Sequence, residues 1–190
     1  MPKTVDSHGS GGSDIAICGH KMMPYLRPMA CALLALLLPP AALADCPGQT
    51  LISCEVDNGG FLEVCIEPGD AGGFTYRFGP RDRPELTLRE AFSAGTAIPW
   101  SGAGRAIWEG VAFHNGDHVY EAWHSLDRLS RDPLLEAGVT ILRDGAVLAI
   151  LHCKDGQADI APVFTIQDAM AAAGYCRDPG RHEWRREGCD

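Results

Sequence analysis

The chain has 190 residues, of which 46% are hydrophobic and 22% charged, and eight are cysteine. Residues 45–190 hold 13 Lys+Arg against 23 Asp+Glu, a formal charge of −10, and Lys154 is their one lysine. So acidic a surface repels phosphate backbones and anionic lipid heads, which excludes nucleic acid and membrane surfaces as partners and favours a cationic protein.

Residues 1–44 read as a polar N-terminal extension plus a cleaved signal peptide. Arg27 precedes the apolar run Met29–Leu38, too short for a stable membrane anchor. Pro39, Pro40 and the triplet Ala42-Leu43-Ala44 follow, in the order of a secretory signal cut before Asp45. Asp45 stands where a lipid-attachment box needs a small residue, so Cys46 reads as an ordinary cysteine. The expected product, 45–190, is one periplasmic or secreted domain without a membrane anchor.

Short β-branched and aromatic runs then alternate with turn signals. Thr50–Val56 and Phe61–Glu67 flank Asn58-Gly59-Gly60, and Phe74–Phe78 and Glu85–Glu90 follow Pro68-Gly69-Asp70. Arg105–Phe113 and His118–His124 flank Asn115-Gly116, and Val139–Arg143 and Ala146–Cys153 flank Asp144-Gly145. Asn-Gly and Asp-Gly suit tight hairpins because they tolerate positive φ. The pattern predicts a mainly β fold, an antiparallel meander of about eight strands closed as a small barrel or folded as a sandwich. A short helix follows over Thr165–Ala173, with Thr165 as cap, Asp168 three residues on and Gly174 as stop. The Arg-rich stretch Arg177–Glu187 reads as solvated.

Cys46, Cys54, Cys65, Cys153, Cys176 and Cys189 follow the signal, and an even count in an exported chain predicts three disulfides. No C-x-x-C pair suggests a metal. Proximity favours Cys176–Cys189. A Cys54–Cys65 bridge across the first hairpin requires a bulge or a sheet buried on both faces, because the two cysteines alternate out of phase.

Catalytic signals are sparse. No serine lies in G-x-S-x-G. His118 and His124, six apart on one strand, are roughly 20 Å from each other at about 3.3 Å per residue and cannot share a metal. No cofactor and no catalytic residue are expected. A turn centred on Asn115-Gly116 pairs residues whose numbers sum to 231, so Glu109 opposes Ala122 and Phe113 opposes His118. Glu109 and Glu121 then lie on opposite faces, leaving one acid beside whichever histidine shares its side.

The segment best suited to recognition is Pro99–Trp108, where Trp100, Ser101, Gly102, Arg105 and Trp108 combine glycine hinges with the residue types that dominate binding hot spots. Trp108 reads as the more core-like of the two tryptophans. Tyr76-Arg77-Phe78-Gly79, Gly104-Arg105-Ala106-Ile107-Trp108-Glu109 and Phe113-His114-Asn115-Gly116-Asp117 together resemble a group of small exported proteobacterial β proteins of unassigned function. Ser101, Gly102 and Arg105 are similar to the loop of periplasmic inhibitors of C-type lysozyme. In those eight-stranded barrels a Ser-Gly pair and a basic residue enter the lysozyme cleft. Gly104 intervenes here, and Trp108 falls later than that family's tyrosine. The resemblance implies a non-catalytic binding protein, an inhibitor of a cationic hydrolase such as lysozyme. The alternative is a small periplasmic hydrolase or ligand-binding barrel with a site near Arg105, Glu109, His118 and Glu121.

Overall fold

The computed structural model describes residues 46–69, 71–178, 180 and 183–189. The signal-peptide reading of residues 1–44 lies outside them.

Four strands open the fold: β1 (Gln49–Glu55), β2 (Phe61–Glu67), β3 (Gly73–Gly79) and β4 (Leu86–Ala91). A 3-10 turn at Phe92–Ala94 leads to β5 (Ala97–Ile98), β6 (Ala106–Asn115), β7 (His118–Asp127), β8 (Leu135–Arg143) and β9 (Ala146–His152). Then come β10 (Asp159–Ile160), helix α1 (Thr165–Ala172), β11 (Cys176–Asp178) and β12 (Glu183–Arg185). Among the described residues the strands form two five-stranded antiparallel sheets and a two-stranded ribbon. The first sheet runs β10-β1-β2-β3-β4, the second β5-β6-β7-β8-β9, and β11-β12 make the ribbon. The sheets stack like a sandwich rather than closing as a barrel.

Alternation makes the interior. The first sheet turns Ile52, Leu62, Val64, Phe74 and Tyr76 inward, and the second turns Val111, Phe113, Ala122 and Val139 toward them. Tyr76 meets Phe113 and Tyr120 across the gap, with ring centroids 5.3 and 5.6 Å away. Its buried hydroxyl has no hydrogen-bond partner among the described residues, and burial, then the neighbouring Tyr120, pushes its ionisation well above the ordinary tyrosine value.

All eight expected runs are strands, and β5, β10, β11 and β12 are additions too short to show an alternating pattern. The central hairpin departs from its expected register. Asn115 pairs with His118, so partners sum to 233, and Gly116-Asp117 form the turn. Gly116, at φ 63, is the first central residue, where a type II′ turn places glycine. Asp144 and Gly145, both at positive φ, make the expected I′ turn.

Among the described residues three disulfides form: Cys46–Cys65, Cys54–Cys153 and Cys176–Cys189. They point to an oxidising, extracytoplasmic environment. The tail bridge is as expected, but Cys54–Cys65 does not form. A bulge does occur between Thr50 and Ile52, yet Cys54 opposes Leu62 in the core while Cys65 opposes Thr50 and takes Cys46. Cys54 instead crosses to Cys153 at the end of β9, tying one sheet to the other.

Helix α1 ends as expected, with Gly174 at φ 82. Its start differs. Phe164, at φ 77, occupies the N-cap, and Thr165 lies inside the first turn with its hydroxyl donating to the Pro162 carbonyl (2.7 Å). The tail is also more structured than a solvated run, because β11 and β12 pair and Trp184 packs against the core. No helix among the described residues is long and apolar enough to cross a membrane.

Candidate functional site

The loop from Pro99 to Arg105 joins β5 to β6. Its base is fixed by Trp100, whose indole N–H donates to the Ala103 carbonyl (3.0 Å). Arg128 lies over that ring at 5.4 Å, and Phe164 meets it edge-on at 6.1 Å. Trp100 therefore staples the loop rather than offering a contact. Ser101 through Arg105 are exposed, and the Ser101 hydroxyl accepts from the Ala103 N–H (3.4 Å). Gly102 and Gly104, at φ 86 and 97, adopt a left-handed backbone that other residues rarely take. At the far end the Arg105 guanidinium holds Asp127 at 2.6–2.7 Å. That hydrogen bond raises the ionisation of Arg105 and lowers that of Asp127, which also accepts from the Leu129 N–H.

Trp108 is not core. Glu109, Val111 and Phe113 take the inward positions of β6, so Trp108 points out from the second sheet and is 38% exposed. Ser101, Gly102 and Arg105 thus lie on the loop, Trp108 on the sheet face that follows it, and Trp100 beneath.

The alternative site does not converge. Arg105 is engaged with Asp127, His118 with Asp117 (2.7 Å), and Glu121 faces outward. Glu109 faces inward, where the corrected register sets it directly opposite His124. Glu109 is 1% exposed and His124 not at all. The Glu109 carboxylate accepts the N–H groups of Ile166 (3.2 Å) and Gln167 (3.1 Å), so it caps α1 from a distant strand. His124 Nδ1 donates to the Ala161 carbonyl (3.0 Å), which can only accept, and Nε2 faces Glu109 at 3.5 Å. At that separation Nε2 makes no hydrogen bond, and it is one of the buried polar atoms without a partner among the described residues. Sealed from solvent, Glu109 serves here to fasten the start of a helix to β6.

Sequence reasoning missed a feature on the outer face of the second sheet. Pairing places Gly110, Trp123, Gly138 and His152 in one row across β6–β9. Trp108, Ser125 and Glu136 form the row on one side, and Ala112, Glu121, Thr140 and Ile150 the row on the other. A depression of about 350 Å³ lies between Trp108, Trp123, Glu121, Ser125 and Thr140. A side chain at Gly138 would lie 2.9 Å from the Trp123 ring and 2.3 Å from the Leu151 carbonyl oxygen, so only glycine lets the indole lie there. The signal was Trp123 itself, once β7 is phased by His124 facing inward.

Comparison of the chain with protein-family models, with curated proteins and with solved structures finds no match to any of them.

Proposed function

We propose that this is a non-catalytic periplasmic binding protein that inhibits a cationic hydrolase such as a C-type lysozyme, with the loop at 101–105 as its reactive edge. The observation that carries this reading is the exposed, glycine-hinged loop on a rigid base, ending in a guanidinium already geared to a carboxylate. Most glycoside hydrolases work with two carboxyl groups in a cleft. A loop that delivers Arg105 and the Ser101 hydroxyl into such a cleft exchanges Asp127 for the enzyme's own acids through charge-assisted hydrogen bonds. The three disulfides support an extracytoplasmic setting, and the −10 charge of residues 45–190 favours encounter with a basic enzyme.

A lysozyme turbidity assay tests the reading. Wild-type protein is expected to slow lysis, more strongly at low salt, because the Debye length shortens to about 8 Å near physiological ionic strength. Arg105→Ala is expected to weaken inhibition by at least about tenfold, and Ser101→Ala by less. Lysis untouched by the wild-type protein across a range of salt removes the inhibitor reading.

A further inference from the structure

We infer that the depression on the outer face of the second sheet is a binding site for a choline-like organic cation, held between Trp108 and Trp123 beside Glu121. This goes beyond the inhibitor reading and does not rest on it.

The floor is built for a flat, apolar contact. A Cβ at Gly110 would lie 3.0 Å from the Ala122 carbonyl oxygen, 3.7 Å from the Trp108 ring and 3.7 Å from the Trp123 Cβ. Both tryptophans line the depression, and Gly110, having no side chain, keeps its floor low beside them. Trp123 is braced underneath by Gly138 and at its side by His152, which meets it edge-on at 5.4 Å. Its position does not depend on a ligand. At about 350 Å³ the depression falls within the range of roughly 300–1,000 Å³ typical of small-molecule sites.

The charge on this face has one sign. Glu121 lines the depression and Glu136 stands two strands from Trp108 in the same row. Among the described residues neither carboxylate has a hydrogen-bond or ion-pair partner. The cation at the border, Arg105, is engaged with Asp127. Indole faces attract cations through the ring quadrupole, and an unpaired carboxylate at the rim adds to the same field. An anion is repelled here, and a neutral apolar group would strip water from Glu121 without replacing it.

The lining also selects among cations. A primary ammonium brings three N–H donors, and it would find side-chain acceptors only at the rim, in Glu121, Ser125 and Thr140, and none on the indole, alanine and glycine floor. A trimethylammonium brings none and gives up its water more readily. Ser125 and Thr140 at the edge suit a hydroxyl tail such as that of choline. An acidic tail, as in glycine betaine, would meet Glu121 and Glu136.

Tryptophan fluorescence titration of the protein tests this, with choline chloride, its neutral isostere 3,3-dimethylbutan-1-ol and glycine betaine compared at constant ionic strength. Choline is expected to give a saturable change, with the isostere and betaine each at least about tenfold weaker. Trp108→Ala, at a position outside the core, is expected to weaken choline by at least about tenfold, with circular dichroism confirming that the variant folds. Glu121→Gln is expected to remove most of the preference for choline over its isostere. The site is overturned if choline gives no saturable change, if the isostere matches it, or if neither substitution alters its affinity. Lysozyme inhibition is scored separately, so either reading can fail alone.

Discussion

Glu109 shows how much one side chain can govern. Its two oxygens satisfy two N–H groups at the start of α1, and beside it His124 is buried with Nε2 3.5 Å away. Replacing it by alanine leaves those two N–H groups without acceptors and opens a cavity. Glu109→Ala is expected to lower unfolding free energy by about 2–5 kcal/mol, as leaving two buried donors unsatisfied beside a new cavity does. Glu109→Gln keeps one acceptor oxygen, and its loss is expected to be clearly smaller. Urea titration followed by circular dichroism gives both values, and equal losses would show that the capping oxygens contribute nothing. The sequence displayed this residue only as one acid on a strand. Its partner depended on whether Asn115 or Gly116 opens the turn, and moving the turn by one residue changes the partner from Ala122 to His124. The helix cap was hidden for a different reason. Thr165 is a favourable capping residue by type, but Phe164 takes the left-handed position before it, and the acceptor comes from 57 residues away.

At the scale of elements, the regular period at which β-branched and aromatic runs fall between turn signals made the eight long strands legible, including β2, whose residues 62–66 are buried throughout. The two-residue strands β5 and β10 carry no such period, and they are held by the neighbours they pair with. The face pattern also explains the misreading of Trp108. A large apolar residue suggests the core, but its place in β6 puts it outside. Disulfide pairing was legible only where sequence distance and space agree, as in the tail. Cys54–Cys153 spans 99 residues and joins the two sheets, whereas Cys176–Cys189 spans 13 within the ribbon and its flank. In the chain-entropy picture the longer closure constrains the unfolded state more, about 4–5 kcal/mol against about 3. Removing Cys54–Cys153 by paired alanine substitution is therefore expected to lower the melting temperature further than removing Cys176–Cys189. Differential scanning calorimetry of the two variants ranks them, and the opposite ranking would refute this account.

At the scale of the whole molecule, acidification acts through carboxylates that are better held folded than unfolded. The Glu67 carboxyl is kept below the ordinary glutamate value of 4.5, first by the hydroxyl of Thr75 and then by Arg89, against a desolvation that pushes it up. Asp127 is likewise lowered, first by Arg105. A depressed folded value contributes stability above the unfolded value and loses it as pH falls through the folded one. Stability is thus expected to be level near neutrality and to decline below about pH 4.5, the value from which Glu67 is lowered. Glu67→Gln should flatten that decline, and thermal melts from pH 7 to pH 3 measure it. An unchanged slope in the variant would place the acid sensitivity elsewhere.

The strand order also bears on how the protein is made. A chain is synthesised from its N-terminus, so the β1–β4 meander is complete long before β10 arrives to cover the outer edge of β1. During that interval Cys54 has no native partner, while Cys46 and Cys65, only 19 residues apart, are both present beside it. Three thiols within twenty residues permit three pairings, and only one of them is native. Oxidation into either of the other two before Cys153 arrives holds Cys54 in the wrong bond, and thiol–disulfide exchange must release it before Cys153 can claim it. The time to reach the native state is then set by the reshuffling of sulfur bonds rather than by the packing of the sheets.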